Sequence, residues 1–318
     1  MIDFTECKKL KKSYGGANGN KIAILYDNEI YMLKFPSIAR KDTDLSYANG
    51  CISEYICCHI YEMLGIPAQK TILGTYNKNG KEKIVVACKD FEEDGYRIKH
   101  FAELKNTVLS SSNNGYGVEL EDILNSIEEQ TIINPEQLKE RFWDMFIVDS
   151  LLGNFDRHNG NWGYLYRQED DTAKLAPIFD CGSCLYSNAD EDTMNRVINN
   201  VGERYTRIFN YPTSAIKREG KKIAYYDFLT SYSNVDCDRS IVKIYERWNS
   251  VKEDIYKLID SVEVLTNTQR NFYRLMLDER AHLILKPAYE KATNRLKACV
   301  FSSECDFDED IEEDVPHL

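Results

Sequence analysis

Asp156, His158 and Asn161 stand within six positions of one another in the stretch 151–163, directly after an apolar run with helical spacing. Nineteen residues past Asn161, the apolar run Ala176-Pro177-Ile178-Phe179 ends in another acid, Asp180. An acid, an amide five positions later and a second acid at a strand end can together serve transfer of a phosphoryl group. The first acid orients an attacking hydroxyl, while the amide oxygen and the second carboxylate offer hard ligands to Mg²⁺. An Asn carbonyl beside one carboxylate supplies those oxygens without crowding negative charge against a triphosphate. Taken alone, the 156/161 spacing suits a surface turn rich in Asn, Gly and Asp equally well. Asp180 and the residues upstream shift the balance toward chemistry.

Lys34 is the first of those upstream residues. It sits in the apolar run 29–35, where an ammonium costs free energy unless it snorkels or meets an anion. Twenty residues later Glu54 lies on an amphipathic helix predicted over 50–64. A strand lysine followed by a helix glutamate matches the ion pair that positions nucleotide phosphates in protein kinases. Ahead of both, Tyr14-Gly15-Gly16-Ala17-Asn18-Gly19-Asn20 is a polar, glycine-rich turn. Glycines let the backbone approach phosphate oxygens and direct N–H groups at them.

The elements that must hold these residues follow from pattern. Runs 21–26 and 29–35, joined by Asp27-Asn28, predict a hairpin. A polar loop over 37–49 leads to the helix, which Gly65-Ile66-Pro67 ends. Strands over 70–76 and 81–89 then run into the polar break 90–95, which suits a hinge between lobes. A loop is expected over 105–117, then helices over 119–129 and 135–152, the second delivering the Asp156 loop. Strands over 162–166 and 174–179 frame Asn161 and Asp180. Helical runs over 193–209, 239–262 and 268–296 form a scaffold behind them. The pattern gives an α+β chain, β-rich over 1–92 and mainly helical over 93–300, and the order of its site residues resembles the bilobal protein-kinase-like fold, which makes these parts its N-lobe and C-lobe. Residues 301–318 read as an acidic, disordered tail.

Composition narrows the function. A 43% hydrophobic content with 21 Tyr and 13 Phe in 318 residues indicates a folded globular chain. Eight acids fall in the last seventeen residues, which leaves the body near −4 of the formal −12. Such a body is not a nucleic-acid-binding surface. No apolar run approaches a membrane span and the start lacks a signal-peptide pattern, so no membrane is expected and the cytoplasm is the simplest placement, while export by a signal-independent route is unreadable from sequence. The ten cysteines show no zinc-like spacing and read as free, mostly buried thiols.

In the order glycine-rich hairpin, Lys34, Glu54, hinge, Asp156/Asn161, Asp180, the chain resembles the HipA-like serine/threonine kinases, including the shorter CtkA-type members. The specific pieces are Asp156-x-His158-x-x-Asn161, Ala176-Pro177-Ile178-Phe179-Asp180 and Leu33-Lys34-Phe35-Pro36, within a resemblance that covers most of residues 10–290. It implies an ATP- and Mg²⁺-dependent protein kinase with Asp156 as catalytic acid, Asn161 and Asp180 on Mg²⁺ and Lys34 on the phosphates. It further implies that Gly15, Gly16 and Gly19 belong to the phosphate loop and that the backbone of Lys89 and Phe91 meets adenine. His158 would touch the phosphates or shape its loop. Ser13 falls where the family autophosphorylates to expel that loop.

Full-length HipA toxins carry an N-terminal subdomain that helps contact a DNA-binding HipB antitoxin. With the loop beginning by residue 13, that subdomain is expected to be missing, and any small antitoxin-like or regulatory partner would be a separate chain. The Cys181-Gly182 after Asp180 also departs from the Phe-Gly of ordinary protein kinases. Two alternatives stay open. Asp156-Arg157-His158-Asn159-x-Asn161 also resembles the catalytic loop of phosphoinositide kinases, which leaves a phosphoinositide or small-molecule kinase as one reading, and a non-catalytic pseudokinase or binding module could use the same fold. The protein substrate is unreadable from sequence.

Overall fold

The computed structural model describes residues 1–15, 21–36, 49–108 and 114–305. Four strands open the chain: β1 (Ile2–Asp3), β2 (Lys8–Leu10), β3 (Lys21–Tyr26) and β4 (Glu29–Lys34). Helix α1 (Asn49–Met63) follows, then β5 (Thr71–Lys78) and β6 (Lys81–Lys89). These six strands form one sheet in the order β1-β5-β6-β4-β3-β2, antiparallel except for the β1–β5 pair. Asp27 and Asn28 both have positive φ (49° and 60°), the geometry of the two-residue turn that matches strand twist, so β3 and β4 pair in tight register.

Side-chain alternation along β4 decides where Lys34 goes. Leu33 and Phe35 enter an apolar cluster with Phe4, Ile24, Tyr76 and Val85 on one face of the sheet. The opposite face, carrying Met32 and Lys34, turns toward α1, where Cys51 packs on Val86 and Cys88.

The rest of the chain is mainly helical. Strand β7 (Arg97–His100) runs straight into α2 (Phe101–Val108), and α3 (Leu120–Glu129) and α4 (Pro135–Leu152) follow. Strands β8 (Gly163–Arg167) and β9 (Thr172–Leu175) complete a three-stranded sheet, β7-β8-β9. Gly163 is required there, because a Cβ would lie 2.1 Å from the Lys99 carbonyl oxygen. Next come α5 (Glu191–Asn199), α6 (Val201–Tyr205) and the short hairpin β10 (Lys217–Arg218) and β11 (Lys221–Lys222). Helices α7 (Tyr225–Ser231), α8 (Val235–Ser261), α9 (Asn267–Arg280) and α10 (Lys286–Cys305) close the fold. Asn134 caps α4 by accepting from the Gln137 N–H, Pro135 occupies its first turn, and Gly153 ends it in left-handed geometry.

The core is built on α4, whose Phe142, Trp143, Phe146, Leu151 and Leu152 are fully buried among Trp162, Tyr225 and Phe228. Each such side chain contributes roughly 1.5–3 kcal/mol on burial. That core fixes the C-terminal end of α4, where the Asp156 loop begins.

Several expected elements are corrected. The strand expected to reach Phe179 stops at Leu175, because Pro177 has no N–H to donate; beyond it only Ile178 bridges to Ala68. Helix α2 occupies the start of the expected 105–117 loop. The helical run 193–209 breaks at Asn200, whose side chain caps α6 through the Glu203 N–H. The run 268–296 passes through a π-helical turn, Ala281–Leu285. Strands β1, β2, β7, β10 and β11 and helix α7 were not anticipated. The expected polar loop before α1 lies outside the described residues over 37–48, as does the acidic tail over 306–318.

Candidate active site

A cleft of about 780 Å³ lies between the six-stranded sheet and the helical part, lined by Gly15, Lys34, Glu54, Gln69, Phe91, His100, Asp156, His158, Asn161 and Asp180 among others. Residues far apart in the chain thus meet in one space. Gly16 and Gly19 fall outside the described residues. Ser13 is exposed beside the cleft, and Lys89 does not line it.

Lys34 is the electrostatic centre. Its Nζ lies 3.0 Å from Glu54 Oε2 and 3.0 Å from Asp180 Oδ1. Burial acts to lower its pKa, yet Asp180 and Glu54 hold it well above the ordinary lysine value. Burial pushes the Glu54 carboxyl up, against the pull of Lys34, and its Oε1 is buried without a partner. Lys34 draws Asp180 down to about 2, so this carboxylate is ionised at any physiological pH. Asp180 also adopts φ +58, a left-handed conformation that Asp tolerates better than most residues but that still costs energy.

The Asp156 loop is built on hydrogen bonds to its own backbone. The Asp156 carbonyl accepts from the His158 N–H at 2.8 Å and from Asn161 Nδ2 at 2.8 Å. Asn161 Oδ1 accepts nothing from the described residues, and Asp180 keeps one carboxylate oxygen clear of Lys34. Two hard oxygens therefore face the cleft, from the ends of the segment that carries β8 and β9. This set fits Mg²⁺, which keeps waters and takes its remaining ligands from phosphate. Among the described residues no group of three or more His, Cys, Asp or Glu could hold a metal unaided. His158 Nδ1 accepts from the Gly160 N–H at 3.0 Å, so the ring braces the loop while it lines the cleft. Burial raises the Asp156 pKa and Asp180 adds to the rise, while His158, Arg157 and Lys222 oppose it.

Sequence reasoning missed what holds this loop down. Arg157 is 2% exposed and places its guanidinium between three partners. Nε donates to Asp149 Oδ2 at 2.9 Å, and Nη1 donates to the carbonyls of Asn161 (2.8 Å) and Phe179 (2.6 Å). Asp149 also accepts from Tyr61 (2.7 Å) and Asn154 Nδ2 (2.8 Å). The signal available in sequence was an aspartate inside the apolar run of α4, which demands a buried partner. Nη2 further donates to Cys181 Sγ at 3.4 Å. Cys58, Cys181 and Cys184 are buried side by side, with the neighbouring thiols and Arg157 holding Cys181 well below the ordinary thiol value. The buried cysteines Cys51, Cys57, Cys58, Cys88, Cys181, Cys184 and Cys237 are free thiols.

At the hinge, the Lys89 N–H donates to the Lys70 carbonyl (2.8 Å), and its carbonyl accepts from Gln69 Nε2 (2.9 Å). Gln69 is 5% exposed and lines the cleft, and its Oε1 is buried without a partner. Lys12 and Tyr14, on either side of Ser13, reach across to the hinge. Lys12 Nζ lies 2.5 Å from Asp90 and 2.8 Å from Glu92, and the Tyr14 hydroxyl donates to Asp90 at 2.7 Å.

The chain is similar to known proteins in both sequence and fold. The family model for the HipA-like C-terminal domain matches residues 12–252. The serine/threonine-protein kinase CtkA of Helicobacter pylori is 47% identical over 293 residues, 92% of this chain and 88% of that protein. The crystal structure of a Helicobacter pylori proinflammatory kinase CtkA superposes with a TM-score of 0.87 over 92% of this chain and 98% of that one. HipA of Shewanella oneidensis, solved with HipB and its operator DNA, shares the fold at 13% identity and a TM-score of 0.55, covering 88% of this chain and 68% of that one.

Proposed function

Since the chain belongs to the HipA-like C-terminal domain family and is a serine/threonine protein kinase, we propose that the cleft between its two lobes, divided near residue 92, transfers the γ-phosphoryl group of ATP to a protein Ser or Thr hydroxyl. The observation that carries this reading is Lys34 at 3.0 Å from both Glu54 and Asp180, in a cleft whose floor bears Asp156 and Asn161.

Lys34, held rigid by two carboxylates, meets the nucleotide phosphates and offsets their charge. Asn161 Oδ1 and the Asp180 carboxylate would hold Mg²⁺, which when bound neutralises charge on the β- and γ-phosphates. Asp156 takes the acceptor hydroxyl as a hydrogen-bond donor, aligns it for in-line attack and accepts its proton late. Its raised pKa suits that last role better than an ordinary aspartate would. Gly15 contributes backbone at the phosphate end.

At the other end Phe91 faces adenine. Gln69, tied to the Lys89 carbonyl by Nε2, turns its unpartnered Oε1 to the exocyclic amino group of the base. Gln69 therefore takes over part of the contact expected of the Lys89 backbone. Ser13 is the proposed autophosphorylation site, exposed and flanked by Lys12 and Tyr14. A separate regulatory chain remains part of the proposal, by analogy with the HipB bound to Shewanella HipA.

The deciding experiment incubates purified protein with Mg-ATP and reads intact mass and phosphosites, with Asp156→Ala as control. Gain of phosphate in the wild type alone supports the reading. Gain in both proteins removes Asp156 from its role, and gain in neither removes the proposed transfer.

A further inference from the structure

We infer that the hairpin β10–β11 selects protein substrates with acidic residues flanking the acceptor hydroxyl, Lys217 and Lys222 being the pair that reads them. The inference rests on the kinase reading of the adjacent cleft.

The hairpin is built against its own stability. Its register sets Lys217 opposite Lys222 and Arg218 opposite Lys221, around a turn at Glu219 (φ 54°) and Gly220 (φ 74°). Like charges directly opposed across two strands are destabilising. Nothing described nearby relieves them: none of the four makes an ion pair among the described residues. Glu119 accepts from the Gly220 N–H at 3.1 Å, Glu219 in the turn makes no ion pair among the described residues, and Arg218 lies over the Tyr232 ring. Lys221 and Lys222 are exposed in a chain of formal charge −12. Three lysines with no ion pair among the described residues, beside an arginine held over a ring, leave positive charge for an anion from elsewhere.

Its placement says which anion. Asn159 Nδ2, in the catalytic loop, donates to the Gly117 carbonyl at 2.7 Å, and the next carbonyl, Val118, accepts from the Lys217 N–H at 2.8 Å. Three residues after the hairpin, the Tyr225 hydroxyl donates to the Asn154 carbonyl at 2.6 Å, at the start of the Asp156 loop. Both ends of the hairpin are thus fastened to the loop that carries the catalytic acid. Lys222 lies close enough to Asp156 to oppose its raised pKa. Lys217 and Lys222, opposite each other, share one face of the pair.

The hairpin does not line the cleft, so nucleotide phosphates are served by Lys34 and not by these lysines. One short hairpin on an acidic body is too small a basic surface for nucleic acid. What remains is the substrate segment emerging from the cleft. At about 3.3 Å per extended residue and a screening length of about 8–10 Å, the favoured acids fall within roughly three residues of the acceptor.

The test compares full-length wild type with Lys222→Glu and with the double variant Lys217→Glu, Lys222→Glu. Three serine peptides are used, identical except for Asp, Gln or Lys at the flanking positions. The readout is the ratio of kcat/KM between peptides, which cancels any general loss of activity. Wild type should favour the Asp peptide over the Gln peptide by about three- to tenfold at low salt, less at high salt. The double variant should abolish or invert that order, and unchanged thermal midpoints confirm its fold. Transfer with no Asp preference, or a preference that survives the double reversal, overturns the inference while leaving the kinase reading intact. Absence of transfer to any peptide and to the protein itself overturns the kinase reading and this inference with it.

Discussion

Lys34 Nζ lies 3.0 Å from Asp180 Oδ1 although 146 residues separate them in the chain. This contact joins the six-stranded sheet to the segment that carries the carboxylate proposed to hold Mg²⁺. Glu54, equally close on α1, makes it a three-body arrangement with one cation between two acids.

Replacing Lys34 with alanine leaves Glu54, 2% exposed at its side chain, as a buried charge with no partner. A loss of about 3–5 kcal/mol in unfolding free energy is expected. Glu54→Gln, which removes the charge and keeps the shape, should cost less stability while lowering kcat/KM for ATP. Denaturant melts beside steady-state kinetics separate the two.

Asp156→Ala should lower phosphoryl transfer by about 10²–10⁴-fold with little change in Mg-ATP affinity. Asp180→Ala should weaken Mg-ATP binding itself. Equilibrium titration with a fluorescent nucleotide, set against initial rates, tells these outcomes apart.

The pH dependence follows from two aspartates shifted in opposite directions. Lys34 depresses Asp180 to about 2, so its stabilising contribution is present above pH 3.8 and lost as pH falls toward 2. Lys34 is raised, so its own contribution is full below pH 10.5 and lost only at more alkaline pH. Burial raises Asp156, so it protonates first, above pH 3.8. The acid limb of kcat/KM should therefore have its midpoint above 3.8 while circular dichroism still reports a native fold. A limb appearing only near 2 would assign it to Asp180.

Arg157→Lys should be far from conservative. A lysine cannot span Asp149 and the carbonyls of Asn161 and Phe179 together. Destabilisation of roughly 3 kcal/mol and a lower kcat are expected. A double-mutant cycle with Asp149→Asn should show coupling of about 1–3 kcal/mol.

Gln69→Met keeps the volume and removes the amide. It should raise the KM for ATP and narrow the preference for ATP over GTP, since an apolar side chain no longer distinguishes an amino group from a carbonyl. Initial rates with both nucleotides decide it.

Much of this was legible in the sequence because it depends on local pattern. The Asp27-Asn28 turn and the period-2 alternation that turns Lys34 away from Leu33 are each readable within ten residues, and the capped α4 within twenty. The fold class followed from the same signals. Arg157 was not legible as an anchor, because its partners come from α4, the Asn161 turn and the Phe179 segment, which meet only after folding. Gln69 escaped for a related reason: its role depends on an orphaned oxygen in a cleft, and nothing in sequence marks that. The hairpin β10–β11 is too short to show periodicity, and its meaning lies in cross-strand register.

The Arg157 anchor divides the cleft by how each wall opens. The wall bearing Asp156 and Asn161 is bonded through a fully buried guanidinium to the core helix, so its amides should exchange with deuterium only when the whole core unfolds. The facing segment, Lys12 to Gly15, is fastened only through two side chains, Lys12 and Tyr14, to Asp90 and Glu92, and should exchange through small local openings. Nucleotide entry and exit then need no disturbance of the reacting groups: one wall breathes, and the other keeps its geometry from one turnover to the next.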